Sequence, residues 1–162
     1  MQEWIAAMQE TNTLIGAVAG LINPETFIAG VGSIKAIGKD NQIAKWEKLA
    51  DLLAIWSSPF IATSLINNQD TPLHWDNGAT YASMDILASV GPFQIGRFMV
   101  LILEYKFLFS SGTVIGLLGR VVLHVAQVTG ERLCYAQYLR ENILDTLAVD
   151  EPEWTNIHHL LQ

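Results

Sequence analysis

From Pro59 onward the chain changes texture, and that change limits the possible folds more than any other feature. Short β-prone segments follow one another at 60–66, 82–90, 98–103, 106–109, 113–118, 121–128 and 132–139. Turn signals separate them: Asn67-Asn68-Gln69-Asp70, Asn77-Gly78, Gly91-Pro92, Ser111-Gly112 and Thr129-Gly130. Seven or so short strands punctuated by glycine predict a sandwich or jelly roll.

Before Pro59 the pattern is helical. Trp4, Ile5, Met8, Ile15 and Val18 recur at roughly helical spacing up to a stop at Asn23-Pro24. A second helix starts on Pro24 and Glu25 and runs toward Gly38. A third, which Asp40 can cap, carries Ile43, Trp46, Leu49, Leu52, Leu53 and Trp56 as one apolar stripe ending at Ser57-Ser58-Pro59. A last helix at about 141–147 precedes a polar end containing Pro152, Trp154, His158 and His159. The expected division is a helical layer over 1–58, packed on the sheet, a β core over 59–140, and a C-terminal helix with an acidic tail over 141–162. Adjacent histidines in such a tail, His158 and His159, are expected to be solvated.

The composition supplies a core, with 51% hydrophobic and 15% charged residues. Its most apolar stretches, near 14–22 and 98–103, fall short of the roughly 18–20 unbroken apolar residues of a membrane span. Met1-Gln2-Glu3 lacks the basic start of a secretory signal. The expectation is a protein without a membrane segment, acting inside the cell. The single cysteine, Cys134, excludes an internal disulfide and a cysteine-based zinc site, and its apolar surroundings predict burial. Net charge is −7, and the segment from Glu141 onward holds five acids and no base. The acidity is thus mostly a property of the tail, and no basic face announces nucleic-acid binding.

Two histidines lie in the β-rich part. In an extended segment residues i and i+2 point the same way, so His74 and Asp76 of Leu73-His74-Trp75-Asp76 can grip one ion. That spacing also arises by accident. His124, within Val122-Leu123-His124-Val125-Ala126, is expected in the middle of a later strand, either as a core histidine bonded to backbone or as a third ligand. Two histidines and one carboxylate compose the facial triad that suits Fe(II), because three protein ligands leave three positions open for co-substrate and O₂. Alternation along 132–139 puts Arg132, Cys134, Ala136 and Tyr138 on one face. If that face looks inward, Arg132 is a buried guanidinium, which costs several kcal/mol without an anion. A carboxylate fits its fork, and the far carboxylate of 2-oxoglutarate is the anion this class would supply. The other reading places Arg132 on the surface of an edge strand.

The run Thr71-Pro72-Leu73-His74-Trp75-Asp76 is followed by Met84-Asp85-Ile86-Leu87, Val90-Gly91, Ser111-Gly112-Thr113-Val114, Gly119, His124, Gly130-Glu131-Arg132-Leu133-Cys134-Tyr135-Ala136 and Leu139-Arg140-Glu141. In that order these motifs resemble the TET/JBP-like dioxygenases of fungi, the basidiomycete type often found near transposable elements, over about residues 43–154. The resemblance implies a mainly β fold with N-terminal helices, a double-stranded β-helix of the jelly-roll, cupin-like kind. It implies Fe(II) at His74, Asp76 and His124, and 2-oxoglutarate held by Arg132. The implied reaction is stepwise oxidation of the methyl group of 5-methylcytosine in DNA, consuming O₂ and 2-oxoglutarate and releasing succinate and CO₂. Methylated DNA would then be a partner, the location nuclear, and the base flipped out and stacked on aromatic groups. Trp75, Tyr81, Phe93 and Tyr135 are aromatic residues that offer themselves for that role. The family pattern carries basic residues where this chain has Trp75 and Asn68. Two alternatives follow from that departure: a dioxygenase acting on a small molecule or nucleoside, and a truncated or inactive relative that only binds.

Overall fold

A computed structural model describes residues 2–40 and 47–153. Ile43, Trp46, Trp154, His158 and His159, named above, lie outside the described residues. Four helices come first: α1 (Gln2–Ala7), α2 (Gln9–Ile22), α3 (Pro24–Lys39) and α4 (Glu47–Ile55). Eight strands follow: β1 (Ala62–Asn67), β2 (Thr71–His74), β3 (Asp85–Val90), β4 (Ile95–Val100), β5 (Tyr105–Leu108), β6 (Val114–Leu117), β7 (His124–Thr129) and β8 (Leu133–Tyr138). The helix α5 (Glu141–Leu147) comes last.

The strands form two antiparallel four-stranded sheets, ordered β1-β8-β3-β6 and β2-β7-β4-β5. In the first, β8 is central: Leu65 faces Tyr135 on one side, and Ala88 faces Tyr135 on the other. In the second, β7 is central, with His124 opposite His74 of β2 and opposite Val100 of β4.

Alternation divides the apolar residues between two layers. Ile86, Ala88, Tyr135 and Leu139 turn to the helices and pack with Ile15, Ala19, Ala29 and Leu144. Phe98, Val100, Leu117, Ala126 and Cys134 pack in the other cluster, with Leu87 and Ile115 against them. Two glycines let α2 and α3 close onto Pro59, in the segment that leads into β1. A Cβ on Gly30 would stand 2.2 Å from the carbonyl oxygen of Pro59, and one on Gly16 would stand 2.8 Å from its ring. Asn23 starts α3, its side chain accepting from the amide of Thr26, and the Thr26 hydroxyl in turn accepts from the amide of Met84.

Several local expectations change. The first helix breaks at Met8 (φ −90°, ψ 0°), giving α1 and α2. The buried stripe along them is Ile5, Met8, Asn12, Ile15 and Ala19, while Trp4 is exposed. Asn12 breaks an apolar run in sequence yet is buried, because Gln137 of β8 donates to its side chain. Asp40 closes α3, donating its amide to Ala36 and Ile37. Leu101–Leu103 leave the expected strand for a 3₁₀ turn. The amide of Leu101 is drawn to the carbonyl of Leu123, and Glu104, at φ 51°, reverses the chain into β5. β7 begins at His124 rather than centring on it, because residues 121 and 122 are held in a turn by the carbonyl of Leu118. No helix among the described residues is long and apolar enough to cross a membrane.

Candidate metal centre

His74 ends β2, Asp76 lies two residues on, and His124 opens the strand paired with β2. That pairing sets the two imidazoles side by side, with ring centroids 4.3 Å apart. Asp76 sits between them, Oδ1 3.3 Å from His74 Nε2 and Oδ2 3.7 Å from His124 Nε2. One donor atom from each of the three lies within 4.8 Å of the others. Ligands at right angles about 2.1 Å from one ion stand about 3 Å apart, so the three side chains need only small adjustments to share an ion.

Both histidines have their proton placed by backbone. His74 Nδ1 lies 2.7 Å from the carbonyl of Pro72, and His124 Nδ1 lies 2.9 Å from that of Val122. A carbonyl only accepts, so each Nδ1 carries a hydrogen, and each Nε2 is turned toward Asp76. Burial lowers the pKa of His124 below its ordinary value, which keeps it neutral and able to ligate. Its ring is stacked on Phe98, 5.4 Å between centroids.

Asp76 is held by backbone and by space. Its amide donates to the carbonyl of Gly119, and a Cβ on Gly119 would stand 2.2 Å from Asp76 Oδ2 and 2.5 Å from Asp85 Oδ2. Only glycine at position 119 leaves room for the two carboxyls. Asp85, at the start of β3, is buried, and burial followed by repulsion from Asp76 pushes its pKa up to about 8. At neutral pH it keeps its proton, which it can direct at Asp76.

The triad opens on a cavity of about 430 Å³ between the two sheets. One face of β8 lines it, with Cys134, Ala136 and Tyr138 following Arg132 at every second residue. Arg132 is 2% exposed, and its Nε and Nη1 find no hydrogen-bond partner among the described residues. Its nearest described π contact is the ring of Phe109, 5.4 Å away. Its backbone is fixed on two sides. Asn68, in the left-handed region at φ 51°, accepts the Arg132 amide at 2.6 Å and donates its own amide to the Arg132 carbonyl. Gly91, at φ 131°, lets the 131–132 backbone approach where a Cβ would collide with the Glu131 carbonyl at 2.4 Å.

The aromatic residues divide differently from the expectation. Trp75 lines the cavity and is 51% exposed. Tyr81 is exposed beneath the guanidinium of Arg120, Phe93 is buried, and Tyr135 packs on the helix side of β8. Phe98, Phe109 and Tyr138 line the cavity instead. Tyr138 lies on the face that the Arg132 alternation predicts, although it is not among the aromatic residues put forward for stacking. Asp85 and Arg140, which also line the cavity, needed the cross-sheet arrangement.

No family model matches the chain, and no curated protein is similar to it at a meaningful level. Among solved structures it is similar to NgTET1 in complex with 5mC DNA, at 16% identity and a TM-score of 0.48. The match covers 71% of this chain and 53% of that one, so the chain spans about half of that protein's length. The case for a metal rests on the donors themselves.

Proposed function

We propose that this chain is an Fe(II)- and 2-oxoglutarate-dependent dioxygenase, with the metal on His74, Asp76 and His124 and the co-substrate's far carboxylate on Arg132. The observation that carries this reading is Arg132: a buried guanidinium with two nitrogens unsatisfied among the described residues, in the same cavity as three converging metal donors. Leaving such a charge bare costs several kcal/mol, and a bound carboxylate removes that cost. The strand order also supports a double-stranded β-helix over 59–140. Strands alternate between sheets except at the β4–β5 hairpin, which leaves β1 beside β8 and β2 beside β7.

Bound Fe(II) would supply activation of O₂ coupled to oxidation of 2-oxoglutarate to succinate and CO₂. The residues of the chain do the rest. His74 and His124 turn Nε2 toward the metal position through their Nδ1 contacts to backbone, and Asp76 is fixed by the Gly119 carbonyl. Phe98, Phe109 and Ala126 keep the inner wall of the cavity apolar. Arg132 orients the co-substrate from the opposite side of its carbon chain.

The substrate we propose is the methyl group of 5-methylcytosine in DNA, on the strength of the ordered motifs from Thr71 to Glu141 and their resemblance to TET/JBP-like dioxygenases. This would place the protein in the nucleus. A second reading keeps the iron and co-substrate but takes a small molecule or nucleoside. It is favoured by Trp75, an exposed indole at the cavity where the family pattern has a basic residue. The test is anaerobic titration with Fe(II) and 2-oxoglutarate, read by the weak visible charge-transfer band, then succinate release with methylated duplex. A band with succinate supports the DNA reading. A band without it supports the second, and no band contradicts the dioxygenase assignment.

A further inference from the structure

Three arginines stand near the cavity, and they are used differently. Arg120 is spent on structure: Nη1 donates to the carbonyl of Ala79 and to Glu141, and the guanidinium covers the Tyr81 ring at 4.1 Å. Arg132 is buried and unsatisfied at one end of β8. Arg140 follows the other end of the strand and lines the same cavity. The backbone stays extended at Arg140 (φ −106°, ψ 123°). Eight residues at about 3.3 Å each set the two Cα atoms about 26 Å apart, with both side chains lining the cavity between them.

Arg140 is held, but most of its hydrogen-bonding capacity is free. Its guanidinium lies 4.8 Å from the ring centroid of Tyr138, and Nη2 donates to the Tyr138 hydroxyl at 3.3 Å. That hydroxyl is tied to Ser64 Oγ at 2.8 Å, so Ser64, Tyr138 and Arg140 form a rail along the wall. The other side rests on backbone: a Cβ on Gly78 would stand 2.0 Å from Nη1 and 3.1 Å from Cζ. Asp85 attracts Arg140 but makes no ion pair with it among the described residues and faces Asp76 instead. An arginine has five N–H donors in a planar fork. Apart from the bond to Tyr138, they meet no protein acceptor among the described residues.

We infer that Arg140 anchors a second oxyanion site in this cavity, which takes a carboxylate or phosphate group of the primary substrate. The inference deepens the dioxygenase reading, on which it rests for the word substrate. A guanidinium pre-positioned by a tyrosine rail and a glycine floor matches the two oxygens of a carboxylate or phosphate in a way a lysine or amide does not. The cavity would then hold two anions, with the metal donors along its wall: the co-substrate at Arg132 and the substrate's acidic group at Arg140.

The test is calorimetric titration of the full chain, without metal, using benzoate as the carboxylate probe and phenyl phosphate as the phosphate probe. Benzyl alcohol is the uncharged control. The Arg132→Leu variant is expected to bind one of the two anionic probes and not the alcohol, and the tighter probe identifies the group. Adding Arg140→Gln is expected to lower that affinity at least tenfold. Adding Gly78→Ala instead keeps the arginine but displaces it, and the same loss is expected. Arg140→Lys, which keeps the charge without the fork, should recover part of the affinity in a chain whose thermal melt matches the parent. Unchanged probe affinity with Arg140→Gln would overturn the inference, as would loss of all probe binding in Arg132→Leu alone. Arg140-dependent probe binding in a chain that ignores 2-oxoglutarate would keep the oxyanion site and discard the dioxygenase reading.

Discussion

The two faces of β8 each bury a large polar side chain, and they treat it in opposite ways. On the helix side, Gln137 is fully buried; its amide nitrogen donates to Asn12, and its carbonyl oxygen accepts from the Ser58 hydroxyl. On the cavity side, Arg132 is nearly as deeply buried, yet Nε and Nη1 have no partner among the described residues. A satisfied buried network links elements and stabilises them, whereas an unsatisfied charge destabilises the chain until something else enters. The difference separates residues that hold this fold together from residues that wait for a ligand.

Substitutions on the two faces should therefore separate cleanly. The largest effect is expected from Arg132→Leu. Affinity for 2-oxoglutarate should fall a hundredfold or more, about 3 kcal/mol, while the melting temperature holds or rises because a bare buried charge is gone. Calorimetry and thermal denaturation together check it, and an equal co-substrate affinity would place Arg132 outside the site. Gln137→Ala should do the reverse. Stranding Asn12 and Ser58 should cost about 2 kcal/mol of stability by denaturant titration, with co-substrate affinity little changed in the folded fraction. If it weakens 2-oxoglutarate as much as Arg132→Leu does, the two faces are not independent. Gly119→Ala tests the metal side, since its Cβ collides with the Asp76 and Asp85 carboxyls. Iron affinity should drop about tenfold, a cost of about 1.4 kcal/mol, and unchanged iron binding would mean Asp76 is not a ligand in its present position. The smallest effect is expected from Asn68→Ala. It removes the side-chain acceptor of the Arg132 amide and leaves alanine at positive φ, so 2-oxoglutarate affinity should fall about threefold, about 0.7 kcal/mol.

Period-two alternation made part of this legible. It put Arg132, Cys134, Ala136 and Tyr138 on one face of β8, and the structure lines the cavity with all four. The i, i+2 spacing of His74 and Asp76 brought their side chains together, although Asp76 lies past the strand end and depends on the Gly119 carbonyl for its place. What local pattern could not show was anything set by contact between distant segments. Asn12 was hidden because its burial depends on Gln137, 125 residues away. Asp85 meets Asp76 only where β3 and the loop after β2 converge across Gly119. Arg140 sits next to a helix start, where a charged residue is ordinary, and only the Gly78 floor and the Tyr138 rail turn it into the cavity. Asn68 looked like a turn residue that had replaced a basic one. Its work, holding the backbone of Arg132, depends on a contact 64 residues along the chain.

The most direct measurement is anaerobic Fe(II) stoichiometry in the wild-type chain and in His124→Ala. His124 is buried, but its only described hydrogen bond is to the neighbouring Val122 carbonyl, so its loss should leave the fold in place. One iron per wild-type chain, falling to near zero in a variant with an unchanged circular-dichroism spectrum, is the predicted result. Equal iron in the two proteins would contradict the metal centre, and with it the role assigned to the cavity.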